Sequence, residues 1–344
     1  MQFVKYPSIE NSYNTKNVNW FREHIPDLDK IPCTVEEKLH GANFSFHYNH
    51  KTGEVKAAKR TGFLQENENF YHCTEVINKY TPKVKALFAS FSDSLINAVV
   101  YGELVGGCFP NKVSQYRPIQ KGVYYTPDIE FVAFDIWLEV VNPFDAMNPY
   151  QYFTTPFFVK SFCSTYGIPS VSHLFKGTFE ECLKFNPEFK SEMYKILRPD
   201  LANEDVGENI AEGGVIKSGL TNWEIPRVVL KIKGERWKEV AHQPRKEVVV
   251  DNEHVQTLLN RMTCYITENR LMNVLSHNGL DMDFKNFRKI CQDYVIDLVA
   301  DFEKAEMTSD FNLENEYSQA KKFLWREIEN FVRQKILCLT TAQS

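Results

Sequence analysis

The clearest hydrophobic pattern in the chain has the period of a half-buried strand. Phe44, Phe46 and Tyr48 alternate with Ser45 and His47, which predicts a strand with one apolar face. Just before it, Cys33-Thr34-Val35 is β-prone, so Lys38 stands at the end of one strand, ahead of a turn at Gly41 into the next. A third strand is expected to end at Ala57-Ala58-Lys59-Arg60-Thr61-Gly62, with Thr52-Gly53 as the turn before it. Residues 1–30 read as a short preface, polar over 11–19, with one helical turn within 21–31. The period then changes. Val84, Leu87, Phe88, Phe91 and Leu95 follow helical spacing and predict a helix over 66–98, interrupted at Pro82. Val99 to Val105 returns to strand and carries one carboxylate, Glu103. A long loop, 106–127, leads to a buried strand at Phe131 to Trp137. Helices are expected over 153–166 and 178–185. Residues 211–218 and 226–234 read as an antiparallel pair. In the second, Val229, Lys231 and Lys233 share one face and Val228, Leu230 and Ile232 the other.

Beyond Pro244 the strand signal fades. Residues 251–340 hold three helical stretches, marked by Val255 to Ile266, Phe284 to Leu298 and Phe323 to Ile336. The expected division is therefore 1–243 and 244–344, with Gln243-Pro244-Arg245-Lys246 as linker. The fold class is α+β: antiparallel sheets flanked by helices, then a small all-α domain.

Composition narrows the picture. A chain of 344 residues leaves room for about two domains. Its 26 Phe and 16 Tyr favour well-packed sheets. A net charge of −5 excludes a uniformly basic nucleic-acid coat but permits a local basic groove. Gly213 to Val250 is the candidate, with eight Lys or Arg against four Glu. Asp293 to Glu316 is acidic and is expected to face solvent. The eight cysteines include no C-x-x-C pair, which argues against a zinc site and for reduced thiols inside a cell. No signal-peptide pattern opens the chain, and no apolar run approaches the roughly 18 residues of a membrane span. The expectation is a soluble intracellular monomer without a membrane partner, cytoplasmic, or in the host cytoplasm if viral.

Several strands carry polar residues that a plain sheet has no use for: Lys38, Glu103, Glu212 with Lys217, and Lys231 with Lys233. Arg60 ends another. Lysines and carboxylates around one cleft, with Mg²⁺, describe a nucleotidyl-transfer site in which a lysine is the nucleophile and cations bear the phosphate charge. A free lysine, with a pKa of about 10.4, is a poor nucleophile at neutral pH, and neighbouring cations favour its neutral form. Carboxylates suit Mg²⁺, which prefers oxygen ligands. Singly, each residue has a plainer explanation. Lys38 is a solvated lysine beside a turn, Lys231 and Lys233 a basic edge strand, Phe134 a core phenylalanine and Arg270 a helix-surface charge.

Taken in order, the motifs resemble one family. They are Lys5-Tyr6-Pro7-Ser8-Ile9-Glu10-Asn11, Glu37-Lys38-Leu39-His40-Gly41-Ala42-Asn43-Phe44-Ser45, Ala58-Lys59-Arg60-Thr61-Gly62, Gly102-Glu103-Leu104, Phe134-Asp135-Ile136, Glu212-Gly213-Gly214-Val215-Ile216-Lys217, Lys231-Ile232-Lys233 and Cys264-Tyr265-Ile266-Thr267-Glu268-Asn269-Arg270. The chain resembles the covalent nucleotidyltransferase superfamily of ATP-dependent ligases and capping enzymes, and within it the bacteriophage RNA ligase 2 family. DNA ligases and capping enzymes typically carry K-x-D-G-x-R around the lysine and continue into an OB barrel. Here His40 replaces the Asp, Asn43 stands at the arginine position with an arginine appearing instead as Arg60, and the chain continues into helices. Ala42 stands where the family often has Thr, and Ser218-Gly219 follows Lys217 where Pro is common.

The resemblance implies an adenylyltransferase (nucleotidyltransferase) domain, ATP-grasp-like, followed by a helical RNA-binding domain. It implies ATP, Mg²⁺ with Mn²⁺ as a substitute, and RNA as substrate, either nicked duplex RNA or RNA–DNA hybrid. Lys38 would attack the α-phosphorus of ATP, pass AMP to an RNA 5′-phosphate, and leave a 3′-OH to seal the break. Glu103 and Glu212 would contact metal or ribose. Lys231 and Lys233 would contact the α-phosphate, and Lys217 the phosphates or ribose. Arg60 and Asn43 would serve the nucleotide or the RNA end. Phe134 would stack on adenine, and His40 would assist pyrophosphate departure or position Lys38. Glu37 and Leu39 would border the nucleotide, Glu37 through its backbone. Arg270 and Asp297 would contact RNA. The alternatives are a capping guanylyltransferase or DNA ligase, and an inactive RNA-binding module.

Overall fold

Strand alternation in the first two thirds of the chain builds two sheets that share no strand. The structure, a computed structural model, describes residues 1–66, 68–145, 147–219, 226–239, 250, 252–306 and 314–341. One sheet has five strands, in the order β1 (Glu10–Asn11), β11 (Val229–Lys233), β10 (Gly213–Ser218), β2 (Cys33–Glu37) and β9 (His173–Gly177). The other has six: β5 (Gly62–Phe63), β4 (Glu54–Lys59), β3 (Ala42–Asn49), β6 (Leu95–Cys108), β7 (Thr126–Val140) and β8 (Tyr150–Phe153). Every pairing is antiparallel except β1 with β11. The expected pairing of the first two strands is corrected. β2 pairs with β10 and β9, and β3 with β4 and β6. Lys38 to Gly41 is therefore a crossover between sheets, not a hairpin turn.

The expected apolar face of β3 is real. Phe44 and Phe46 are fully buried against Tyr80, Phe88 and Phe131 in a core that helix α2 (Thr74–Ala89) covers. Pro82 was expected to interrupt this helix but lies inside it. The proline removes one helical hydrogen bond; Val76, Tyr80, Val84, Leu87 and Phe88 are buried on the same helix and outweigh that loss. A second core lies on the β10–β11 sheet, where Val228, Leu230 and Ile232 pack with Val35 and Ile216, as the alternation of β11 predicts. Helix α1 (Thr15–His24) stands where only one turn was expected; Asn14 caps it by accepting from the Lys16 N–H. The remaining helices of this half are α3 (Pro156–Thr165), α4 (Phe179–Leu183) and α5 (Met193–Leu197).

The described chain divides into two compact units, Met1–Gly234 and Glu235–Ser344. The expected junction at 243/244 and its linker fall outside the described residues. Among its described residues the second unit is helical: α6 (Glu253–Thr263), α7 (Glu268–Asn278), α8 (Phe287–Glu306) and α9 (Glu314–Thr341). Helix α7 was not expected as a separate element. Thr267 caps its start and Gly279, at φ 63°, ends it. Among the described residues no helix is long and apolar enough to cross a membrane.

Candidate active site

Lys38 begins where β2 ends. Its backbone N–H donates to the Gly213 carbonyl at 2.8 Å, tying the crossover to the start of β10. Two glycines permit the close approach. A Cβ on Gly41 would lie 2.1 Å from the Leu104 carbonyl oxygen on β6. A Cβ on Gly213, at φ 143°, would lie 2.0 Å from the Ile232 carbonyl oxygen on β11. Lys38 and His40 of the crossover and Lys233 of β11 thereby meet around one carboxylate.

That carboxylate is Glu212. Its Oε2 lies 2.8 Å from Lys38 Nζ and 3.1 Å from His40 Nδ1, and its Oε1 lies 3.0 Å from Lys233 Nζ. Burial opposes its charge, but Lys38, Lys233 and His40 outweigh burial and hold the carboxyl well below its ordinary value. The Lys38 side chain is 24% exposed and that of Lys233 3%, so Lys38 is the cation a ligand can reach. Sequence reasoning surrounded Lys38 with cations; the structure adds a carboxylate at contact distance.

Glu103 is placed differently. It pairs across β3–β6 with Asn43 and is electrostatically coupled to Lys38 and Arg60. Burial pushes its carboxyl up to about 8, with Glu212 adding and Lys38 and Arg60 only partly offsetting. Burial thus disfavours the charged form of Glu103 despite the two cations acting on it. A divalent cation would offset that cost, and a carboxylate oxygen suits Mg²⁺. Glu212, expected beside Glu103 as a metal ligand, already has both oxygens engaged by protein donors. Arg60 also reaches Ser8 Oγ at 3.5 Å.

Lys231 and Lys233 share a face of β11, as expected, but β11 is not an edge strand: β1 and β10 flank it. Lys231 is half-buried opposite Asn11. Lys217 departs from expectation. Its Nζ lies 2.7 Å from Glu36 Oε2 and 3.5 Å from Asp135 Oδ2, and donates to the Phe134 carbonyl at 2.5 Å. Of these contacts the carbonyl has hydrogen-bond geometry, and the two buried carboxylates neutralise the ammonium as ion pairs, so the Lys217 charge is already compensated inside the protein.

Phe134 owes its position to a bulge. Tyr101 pairs with Asp135 and Gly102 with Ala133, so Phe134 is the extra residue of β7. Ala133 and Ile136 enter the main core, whereas Phe134 packs on the other face with Tyr6, Tyr101 and Trp137. Half-buried, it keeps part of its ring open. Asp135 beside it accepts from Tyr6 Oη at 2.8 Å and from both terminal nitrogens of Arg227 at 2.8 and 3.0 Å. Burial would raise its carboxyl, but Arg227 and Lys217 prevail and lower it. Tyr6, Glu36, Asp135 and Arg227 were not singled out as site residues. A carboxylate inside the apolar run Phe131 to Trp137 was a legible signal for Asp135; nothing in the sequence marked Tyr6 or Arg227 as its partners.

Glu37 is buried and accepts from Ser191 Oγ at 2.5 Å; burial pushes its carboxyl up to about 7. Tyr125 Oη accepts the His40 backbone N–H at 3.0 Å and fixes the crossover from below. Leu39 is buried apolar packing.

In the helical unit the expected RNA contacts are corrected. Arg270 is fully buried, bonded to Asp297 and at 2.8 Å to Asp301, with Nε donating to the Tyr265 carbonyl at 3.2 Å. Its donors join α7 to α8 and present no open guanidinium. Asp297 and Asp301, half-exposed, belong to the acidic stretch expected to face solvent; they face Arg270 instead. Residues 307–313 of that stretch, and Arg245 and Lys246 of the basic one, lie outside the described residues.

A sequence model of the RNA ligase family matches residues 31–233, and one for the T4 RNA ligase 2 C-terminal region matches 249–337. The mitochondrial RNA-editing ligase 1 of Trypanosoma brucei brucei is 26% identical over 242 residues, covering 62% of this chain and 50% of that protein. RNA-editing ligase 2 of the same organism is 25% identical, covering 90% and 79%. This chain thus spans half the length of the first of these relatives. Among solved structures, a Naegleria gruberi RNA ligase mutant with ATP and Mn aligns with TM-score 0.43 and 16% identity, covering 69% of this chain and 58% of that one. An archaeal ATP-dependent RNA ligase aligns with TM-score 0.41 and 16% identity, covering 99% and 67%.

Proposed function

The chain belongs to the RNA ligase family, and from that membership we propose that it is an ATP-dependent RNA ligase joining 3′-OH and 5′-phosphate ends at nicks in duplex RNA or RNA–DNA hybrid. The observation that carries the reading is the reachable Lys38 amine held beside Glu212, with Lys233 and His40 fixed around the same carboxylate.

Attack needs a free amine, so the Lys38–Glu212 pair opens and a proton leaves Nζ. A bond forms from Nζ to the α-phosphorus of ATP, and the bond from that phosphorus to pyrophosphate breaks. Lys233 and Lys231 bear the charge that develops on the α-phosphate. Phe134 stacks on the base, and Asn43 and Arg60 line the sugar and phosphate side. The RNA 5′-phosphate then takes AMP from Nζ, which regains a proton. The 3′-OH attacks that phosphate, loses its proton, and AMP leaves. Glu103 is the residue that would hold Mg²⁺, which supplies charge against the phosphates. Glu212 organises the cations, and Lys217 holds Glu36, Asp135 and the Phe134 backbone in register.

Incubation with Mg²⁺ and α-labelled ATP or GTP tests the reading. Acid-stable label from ATP, absent in Lys38→Ala, is expected. No adduct would overturn the enzyme reading in favour of a binding module, and label from GTP alone would move it to capping chemistry.

A further inference from the structure

The start of α8 carries a surface of a different kind from the buried Arg270 cluster. Residues 284–289 read Phe-Lys-Asn-Phe-Arg-Lys. Phe284 is 52% exposed and tilts against Phe287 at 6.3 Å. Arg333, from the last third of α9, lies over the Phe287 ring at 5.3 Å. Lys285, Arg288 and Arg333 are exposed, and none of the three is ion-paired among the described residues. Lys289 beside them is spent on Asp293 at 2.7 Å. Arg270 is the opposite case, with its donors consumed by carboxylates and a carbonyl. The first turn of α8 holds no carboxylate, whereas Asp293, Asp297, Asp301, Glu303 and Glu306 follow along the same helix. Within this unit, then, exposed aromatic surface and unspent cations gather at one end of α8 and acid at the other. Asp281 and Asp283 precede the patch and Glu329 lies one turn before Arg333, so it is locally rather than uniformly basic.

We propose that Phe284, Lys285, Arg288 and Arg333 form an RNA-binding surface, with the three cations on backbone phosphates and Phe284 stacking on an unpaired base at a strand end. Exposed aromatics among unpaired cations are the combination such a strand requires: phosphates demand positive charge, and bases demand a flat apolar face. The inference rests on the RNA-ligase reading and replaces Arg270 and Asp297 as the contact residues of this unit.

The test uses the full-length protein and a nicked RNA duplex with a short single-stranded flap. Binding is measured by fluorescence anisotropy across a salt series, alongside Lys38 labelling by ATP. The triple variant Lys285→Ala, Arg288→Ala, Arg333→Ala should lower the slope of log affinity against log salt by about 2 to 3, since each lost phosphate contact removes roughly 0.7 to 0.9. Phe284→Ala should weaken binding about tenfold with the slope unchanged, the signature of lost stacking. Lys38 labelling should survive in both, and Lys304→Ala, at the acidic end, should bind like the wild type. Wild-type affinity and slope in the triple variant would overturn the proposal while leaving the ligase reading intact. A wild-type protein that takes no label from ATP and binds no RNA would overturn the reading beneath it.

Discussion

Glu212 has two carboxylate oxygens, and Lys38, His40 and Lys233 use both. Removing it leaves two lysines facing each other in a largely buried site. Glu212→Ala should therefore cost about a hundredfold or more in the rate of Lys38 labelling, in line with the loss of a preorganised charge group. Single-turnover labelling with ATP measures this, and near wild-type rates would remove Glu212 from the centre of the site. Glu37 gives a pH-dependent prediction. Its carboxyl is pushed up to about 7 from an ordinary value of 4.5. The folded state favours the protonated form, so the stability this confers is complete below pH 4.5 and lost as pH rises through about 7. Glu37→Gln keeps an acceptor for Ser191 and cannot ionise. Its stability relative to wild type should be similar near pH 4.5 and higher by about 3 kcal/mol at pH 8 as an upper bound. Urea titrations at both pH values read this; a pH-independent difference would show that folding leaves the Glu37 carboxyl at its ordinary value.

At the scale of elements, the bulge in β7 and the crossover at Gly41 decide where chemistry is presented. The bulge puts Phe134 and Asp135 on one face and keeps Ala133 and Ile136 in the core. Asp135 then bonds Tyr6 from the N-terminal segment and Arg227 from the approach to β11. Asp135→Ala would strip Arg227 of its hydrogen-bonded carboxylate and leave Lys217 with Glu36 alone, and should destabilise the Met1–Gly234 unit by about 3–5 kcal/mol. Thermal or denaturant unfolding followed by an active-site probe would show it; a loss under 1 kcal/mol would mean that water reaches Arg227. Gly41→Ala should abolish Lys38 labelling while the protein remains folded, because the added methyl must displace the β6 backbone. The helical periods of α2 and of α6, α8 and α9 were legible because long amphipathic faces repeat over several turns. Helix α7 was not, since Leu271, Val274 and Leu275 are its only buried apolar side chains and span barely more than one turn. The crossover escaped the sequence for another reason. A strand, a glycine turn and a second strand look the same whether the strands pair with each other or with partners far along the chain.

For the whole molecule, the two compact units hold different groups. The residues around Lys38 all lie in Met1–Gly234, and the Arg270 cluster and the α8 patch both lie in Glu235–Ser344. A chain ending near residue 243 should keep ATP labelling of Lys38 and lose sealing of a nicked duplex. Equal loss of both would show that the first unit needs the second to form its site. By itself, the sequence determined where the candidate groups stand on the strands, because a lysine, a carboxylate or a phenylalanine on a strand is a matter of local identity and spacing. It also determined the α+β class and the change to helices, because period is local too. Only the tertiary structure decided how those groups are used. Lys217 is paired with Glu36, Asp135 and a carbonyl, Glu212 is engaged by Lys38, His40 and Lys233, and Arg270 is locked inside its helices while Arg288 and Arg333 make no ion pair among the described residues. Each of these turns on burial and on partners far along the chain, as between Glu36 and Lys217, and a charge inside a protein takes its role from what compensates it.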